Sequence, residues 1–161
     1  MNFRPVGALL GWLFPGLGHI AAGNARRGLY AMAGVMLLFV SGVLVGGLDC
    51  VDRTEDSLWF IGQAGSGPIA FAVSFANDAL LKSGSVGEMI TMPAPTNAPK
   101  VFANTYKGLA HANEFGTLLV FLAGLLNVCV LLDAAVREPK SDGATSGRRT
   151  GDPKVKPEGM P

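Results

Sequence analysis

Gly28-Leu-Tyr-Ala-Met-Ala-Gly-Val-Met-Leu-Leu-Phe-Val-Ser-Gly-Val-Leu-Val-Gly-Gly-Leu48 runs for 21 residues without one Asp, Glu, Lys or Arg. A bilayer core about 30 Å thick needs roughly 20 apolar residues at about 1.5 Å each, so this stretch reads as a membrane helix. Tyr30 sits near one end as an interfacial anchor. Three more charge-free windows flank it, residues 5–25, 57–77 and 115–132, of 21, 21 and 18 residues. Across all 161 residues only 16% are charged, against about 25% in soluble domains. Ten of the 25 charged residues follow position 136. The expected fold is therefore all-α: an integral membrane bundle of four transmembrane helices, or three if the third window fails to span.

The expected organisation is one membrane domain, residues 1–136, with spans at about 5–23, 28–48, 58–81 and 115–136 and an extramembrane loop over 82–114. Residues 137–161 hold too little apolar surface to order themselves and read as a disordered tail. Two windows are weak at the centre. Pro15, Gly16 and Gly18 interrupt the first, and Gly65-Ser66-Gly67-Pro68 interrupts the third, with Pro68 placed like the first turn of a new helix. Leaving residues 59–81 in water would expose an apolar run, which favours four spans.

Orientation follows from basic residues, and two arrangements tie. Four spans with the N-terminus inside put eight of the 13 Lys and Arg residues in the cytoplasm; three spans with it outside also give eight. Both place the C-terminal tail in the cytoplasm. The start superficially matches a secretory signal, but Trp12 and the Pro-Gly interruption argue against cleavage. Neither Cys50 nor Cys129 belongs to a CxxC pattern or a disulfide framework, and no cofactor or metal is expected. A net charge of +1 excludes a nucleic-acid binder; the expected partners are the lipid bilayer and other membrane proteins or a second copy.

Small residues spaced four apart let helices approach closely, and Gly7/Gly11 and Gly42/Gly46 have that spacing. Packing within one chain is favoured over a dimer interface. By 3.6-residue periodicity Gly116, Val120, Gly124, Asn127 and Leu131 share one face, so Asn127 reads as a hydrogen-bonding link between helices, with a pore-lining role as the alternative. His19 is expected to satisfy backbone groups freed around Pro15, since no second ligand lies at i+3 or i+4; a proton relay is the alternative. Asp78 is expected to pair with Lys82 at i+4, and Asp133 with Arg137. The acidic cluster around Arg53, namely Asp49, Asp52, Glu55 and Asp56, reads as a solvated loop rather than a cation site. No nucleophile elbow, HExxH or phosphate-cradling loop is present, so no enzyme activity is expected.

Pro15-Gly16-Leu17-Gly18-His19, then Gly23, then Arg26-Arg27-Gly28 resembles the signature of two-transmembrane-helix hairpin domains in small bacterial membrane proteins. Where those domains carry an aromatic after the His, Ile20, Ala21 and Ala22 stand here. Glu114-Phe115-Gly116-Thr117, Ala123-Gly124-Leu125-Leu126-Asn127 and Asp133-Ala134 look like an uncharacterised bacterial family of small polytopic membrane proteins. The resemblance implies an inner-membrane location and no known enzyme activity. The functional expectation is an accessory or structural helix-packing component; the alternative is a small-solute transporter or oligomeric pore using His19, Asp78 and Asn127.

Overall fold

The computed structural model describes residues 5–92, 101–108 and 110–136. Two helices, α3 (Ala25–Gly46) and α6 (Ala110–Val136), run through the molecule, and both contain stretches long and apolar enough to cross a membrane. They lie antiparallel. At one end Gly42 and Gly46 of α3 meet Gly116 of α6, where a Cβ on Gly116 would fall 2.6 Å from the Gly42 carbonyl oxygen. At the other end Arg27 comes within 3.8 Å of Asp133. Only glycine allows the first approach, and the gain is dispersion contact between backbones.

The windows expected to form the first and third spans are each broken into a hairpin. The first gives α1 (Pro5–Leu13) and α2 (Leu17–Ala21). Pro15 cannot donate to the helical ladder, and Gly16 takes φ +81°, a left-handed conformation that glycine adopts without strain. Gly7 lies against Ala134 and Gly11 against Leu131, while Gly18 returns to Gly7 and Ala134. Using α6 as a ruler, α1 enters from the Asp133 end and α2 goes back to it.

The second hairpin mirrors this from the opposite end. It comprises α4 (Ser57–Gln63), a 3-10 turn over Ala64–Ser66, and α5 (Pro68–Asn77). Trp59 stacks edge-on against Phe121 at 5.2 Å, and Gly65 sits deeper, against Gly124 and Val128. Gly67 then turns the chain at φ +89°, Pro68 opens α5, and Ser74 and Asn77 bring it back to Arg53 and Asp52. The four arms hold 9, 5, 7 and 10 residues, so the longest is roughly 15 Å, half of a crossing.

A π turn (Asp78–Lys82) follows α5. The segment expected to be a loop over 82–114 instead contains an antiparallel pair, β1 (Met89–Met92) and β2 (Val101–Asn104), with Met89 opposite Asn104. The fold is thus mostly helical rather than all-α, and α6 starts at Ala110, inside the expected loop. Ile90, Thr91, Val101 and Phe102 supply the strand-forming side chains. Val35 and Phe39 of α3, Val120 and Ala123 of α6, and Cys50, Val51, Phe60 and Ala70 form the core between the long helices and the second hairpin. The expected tail, 137–161, lies outside the described residues.

Candidate functional site

The hairpins meet at one side chain. Asn127 is wholly buried, and its Nδ2 donates to the Gly11 carbonyl at 3.2 Å and the Gly65 carbonyl at 2.9 Å, one in each hairpin. Trp12 Nε1 adds a bond to the Ala64 carbonyl at 3.1 Å. Chain breaks free backbone carbonyls that an apolar interior leaves unsatisfied at a cost of several kcal/mol each, and these side chains supply the missing donors. Asn127 Oδ1 itself has no partner, nor have Gln63 Oε1 and Ser66 Oγ nearby in the second hairpin. The face expected to unite Gly116 with Gly124 is divided: Gly116 faces α3, whereas Gly124 faces Gly62 and Gln63 of α4.

At the Asp133 end, His19 Nε2 shares a hydrogen bond with Asp133 Oδ2 at 2.8 Å, and Arg27 Nε lies 3.8 Å from the same oxygen. His19 is buried, and its partner is a carboxylate 114 positions away rather than the backbone around Pro15. Arg137, the expected partner of Asp133, lies outside the described residues. Among the described residues no group of three His, Cys, Asp or Glu side chains could hold a metal ion.

The Asp49 end carries an extended charge network. Asp52 is buried; its Oδ1 accepts from Thr54 N at 2.7 Å, Thr54 Oγ1 at 2.8 Å and Glu55 N at 3.0 Å, and Lys82 Nζ lies 2.6 Å from its Oδ2. Burial alone would raise this carboxyl, but the bonds from Lys82, Glu55 and Thr54 outweigh it and hold the pKa down at about 2. Asp49, three residues earlier, goes the other way. Burial pushes its carboxyl up, and Lys107 offsets only part, since Glu55 and Asp52 add like charge. Its Oδ2 accepts from Asn113 Nδ2 at 2.8 Å, and its Oδ1 lies 3.7 Å from Lys107 Nζ. Asp78 sits 3.4 Å from Lys82, the expected i+4 pair. Burial tends to lower Lys82 and Lys107, but the surrounding carboxylates outweigh it and raise both.

The β-hairpin closes over this network. Asn104 Nδ2 donates to the carbonyls of Leu81 at 2.9 Å and Val86 at 2.6 Å, pinning β2 to the end of the bundle. A pocket of about 230 Å³ remains beneath it, between Asp49, Glu55, Lys82 and Lys107 on one side and Leu81, Met89 and Phe102 on the other.

A model described as a family of unknown function, DUF6677, matches residues 6–144, which include both hairpins, both long helices and the β pair. The chain belongs to this family. No curated protein and no solved structure matches it. In this DUF6677 chain the sequence reading brought forward Asn127, His19, Asp78 and Asp133, and the structure distributes them: Asp78 at one end, Asn127 at the junction, His19 and Asp133 together at the other end. It overlooked Gln63, whose Nε2 donates to the Cys50 carbonyl at 2.9 Å, and Asn77, whose Nδ2 reaches Asp52 at 3.5 Å. It also overlooked Asn104, Asn113 and Lys107. An amide inside an apolar window was the available signal for Gln63; for the last three, only the tertiary fold supplies one.

Proposed function

We propose that this DUF6677 member is an integral membrane protein that crosses the bilayer twice, on α3 and α6, and inserts α1–α2 and α4–α5 as re-entrant hairpins from opposite faces. We read its role as structural: a helix-packing component of a larger membrane assembly. The observation that carries this is the double hydrogen bond of Asn127 to Gly11 and Gly65, because irregular backbone at membrane depth persists only where protein groups satisfy it. Tight packing of Val35, Val120 and Ala123, all fully buried, supports a scaffold at the junction.

This topology also breaks the orientation tie. It groups Arg4, Arg26 and Arg27 with the six basic residues after Val136, nine on one face, against Arg53, Lys82, Lys100 and Lys107 on the other. The Asp133 end, both termini and the tail then face the cytoplasm, in a bacterial inner membrane if the family resemblance holds. Cysteines placed singly at Asn2, Asn24, Ser85 and Ser146, with Cys50 and Cys129 replaced, test this by side-selective labelling. The expected result is Asn2, Asn24 and Ser146 labelled from one side and Ser85 from the other; Asn24 opposite Ser146, as four spans require, overturns it. Crosslinking in native membranes tests the scaffold role, which a chain captured only as an isolated monomer would refute.

A transport reading is favoured by one observation, the placement of buried or half-buried polar groups at both ends and at the junction, with Gly16 and Gly67 as pivots beside the two tips. Solute flux in proteoliposomes that is unchanged by Asn127→Leu and Asp78→Asn disposes of it.

A further inference from the structure

The pocket under the β-hairpin lies outside both proposed spans and has a chemistry of its own. One wall is apolar, from Leu81, Met89 and Phe102. The opposite wall is charged and unbalanced: Asp49, Asp52, Glu55 and Asp78 surround only Lys82 and Lys107. Lys82 is fully engaged, within 4 Å of three carboxylates and 2.5 Å from Thr54 Oγ1. Lys107 bonds Glu55 at 2.9 Å and stands off Asp49 at 3.7 Å.

The consequence falls on Asp49. Its side chain is 8% exposed, yet Oδ1 accepts no hydrogen bond among the described residues, and the distance to Lys107 is too long for one. A carboxylate withdrawn from water with one oxygen left in a cavity is stabilised by a cation that brings its own donors. The cavity, about 230 Å³, is smaller than a drug-sized site and suits a ligand of a few carbons with one charged head.

We propose that this pocket binds a small amphipathic amine, its ammonium held between Asp49 and Glu55 and its apolar body against Phe102, Met89 and Leu81. A surplus of carboxylates selects a cation over a zwitterion, whose own carboxylate would meet the same negative wall. The apolar wall selects a hydrocarbon-bearing amine over ammonium or a metal ion, and it is the Phe102 side, 58% exposed on β2, that sets preference for the body.

Calorimetric titration of the full-length protein in mild detergent with 2-phenylethylamine tests this, with 2-phenylethanol and phenylalanine as the neutral and zwitterionic counterparts. The amine is expected to bind at least tenfold more tightly than either. Asp49→Asn should lower amine affinity at least tenfold while the thermal unfolding midpoint holds or rises. Phe102→Ala, at an exposed position that leaves the fold intact, should lower it several-fold and narrow the advantage of 2-phenylethylamine over ethylamine. Equal binding of amine and alcohol, no heat from the amine with folded protein, or undiminished binding in a folded Asp49→Asn variant overturns the proposal.

Discussion

The two hairpins solve one problem by different means. Both bring a broken helix to the middle of the bundle and turn it back at a glycine with positive φ, Gly16 in one and Gly67 in the other. The first is held mainly by backbone approach: Gly7, Gly11 and Gly18 sit against α6 or each other, and His19 is its one buried ionisable group. The second is held by side-chain amides and hydroxyls as well, for Gln63, Ser66, Ser74 and Asn77 are all buried along it. The difference follows from their surroundings. The first hairpin returns to an end where only His19, Asp133 and Arg27 meet, whereas the second returns beneath the charge network, where each buried polar group finds another. Glycine contact is cheap in desolvation and intolerant of added atoms; amide contact tolerates size and is intolerant of lost donors.

The sharpest test sets one glycine of each hairpin's seat against the other. At Gly124 a Cβ would collide with the Gly62 backbone carbonyl and lie 3.2 Å from the Gln63 Cα, and neither can yield without moving α4. Gly124→Ala is expected to destabilise by about 3 kcal/mol, at the upper end of overpacking costs. At Gly11 the added atom meets only the Leu131 Cβ at 3.2 Å, so Gly11→Ala should cost about 1 kcal/mol. Unfolding in graded denaturant in detergent ranks them; equal losses would mean that both hairpins rest on the same kind of contact.

Next in size is the polar seat of the second hairpin. Asp52→Asn removes the charge that Lys82 faces at 2.6 Å and turns one acceptor into a donor, with an expected loss of roughly 2–3 kcal/mol. Asp52 is held down at about 2, below its ordinary 3.8, so its contribution is present above 3.8 and disappears as pH falls through 2. The wild type should therefore lose its advantage over the variant in acid, as read from melting midpoints across that window. Asn127→Leu, which cuts the link between the hairpins, should cost about 1 kcal/mol, because such bonds are individually modest even away from water. A loss confined to the first hairpin, seen as faster amide exchange there, would show that the junction supports α1–α2 more than α4–α5.

Much of this was legible in the residues, and what was not has physical reasons. The charge-free runs of α3 and α6 identify the long helices, since nothing but a helix of that length accommodates them. Pro15 and Gly65-Ser66-Gly67-Pro68 mark where helices stop, but a stop does not say where the chain goes next. The reversal depends on Gly18 meeting Gly7 and on Ser74 meeting Arg53, contacts that no local pattern encodes. The β pair went unread because its strands are four residues each, with prolines at 93, 95 and 99 dominating the segment between. His19 and Asp133 are too far apart in sequence for spacing to suggest them. The acidic cluster reads as a solvated loop until the β-hairpin folds over it, and then two of its carboxylates are buried with different partners.

Those two carboxylates provide the smallest effect and the only one expected to be favourable. Asp49 and Asp52 are three residues apart and nearly equally buried, yet Asp52 has five donors around it and Asp49 one clear hydrogen bond, from Asn113. Raised above its ordinary value by burial, Asp49 contributes stability below about 3.8 that is lost as pH rises through its folded value, the reverse of Asp52. At neutral pH the ionised form is therefore a strain on the fold. Asp49→Asn keeps an oxygen for the Asn113 donor and removes that charge, so it should stabilise the protein by up to about 1 kcal/mol at pH 7 and by nothing in acid. A melting midpoint that falls at pH 7 would mean that Lys107, despite its 3.7 Å separation, already compensates the carboxylate in full. The pocket would then have no unmet charge to offer a ligand.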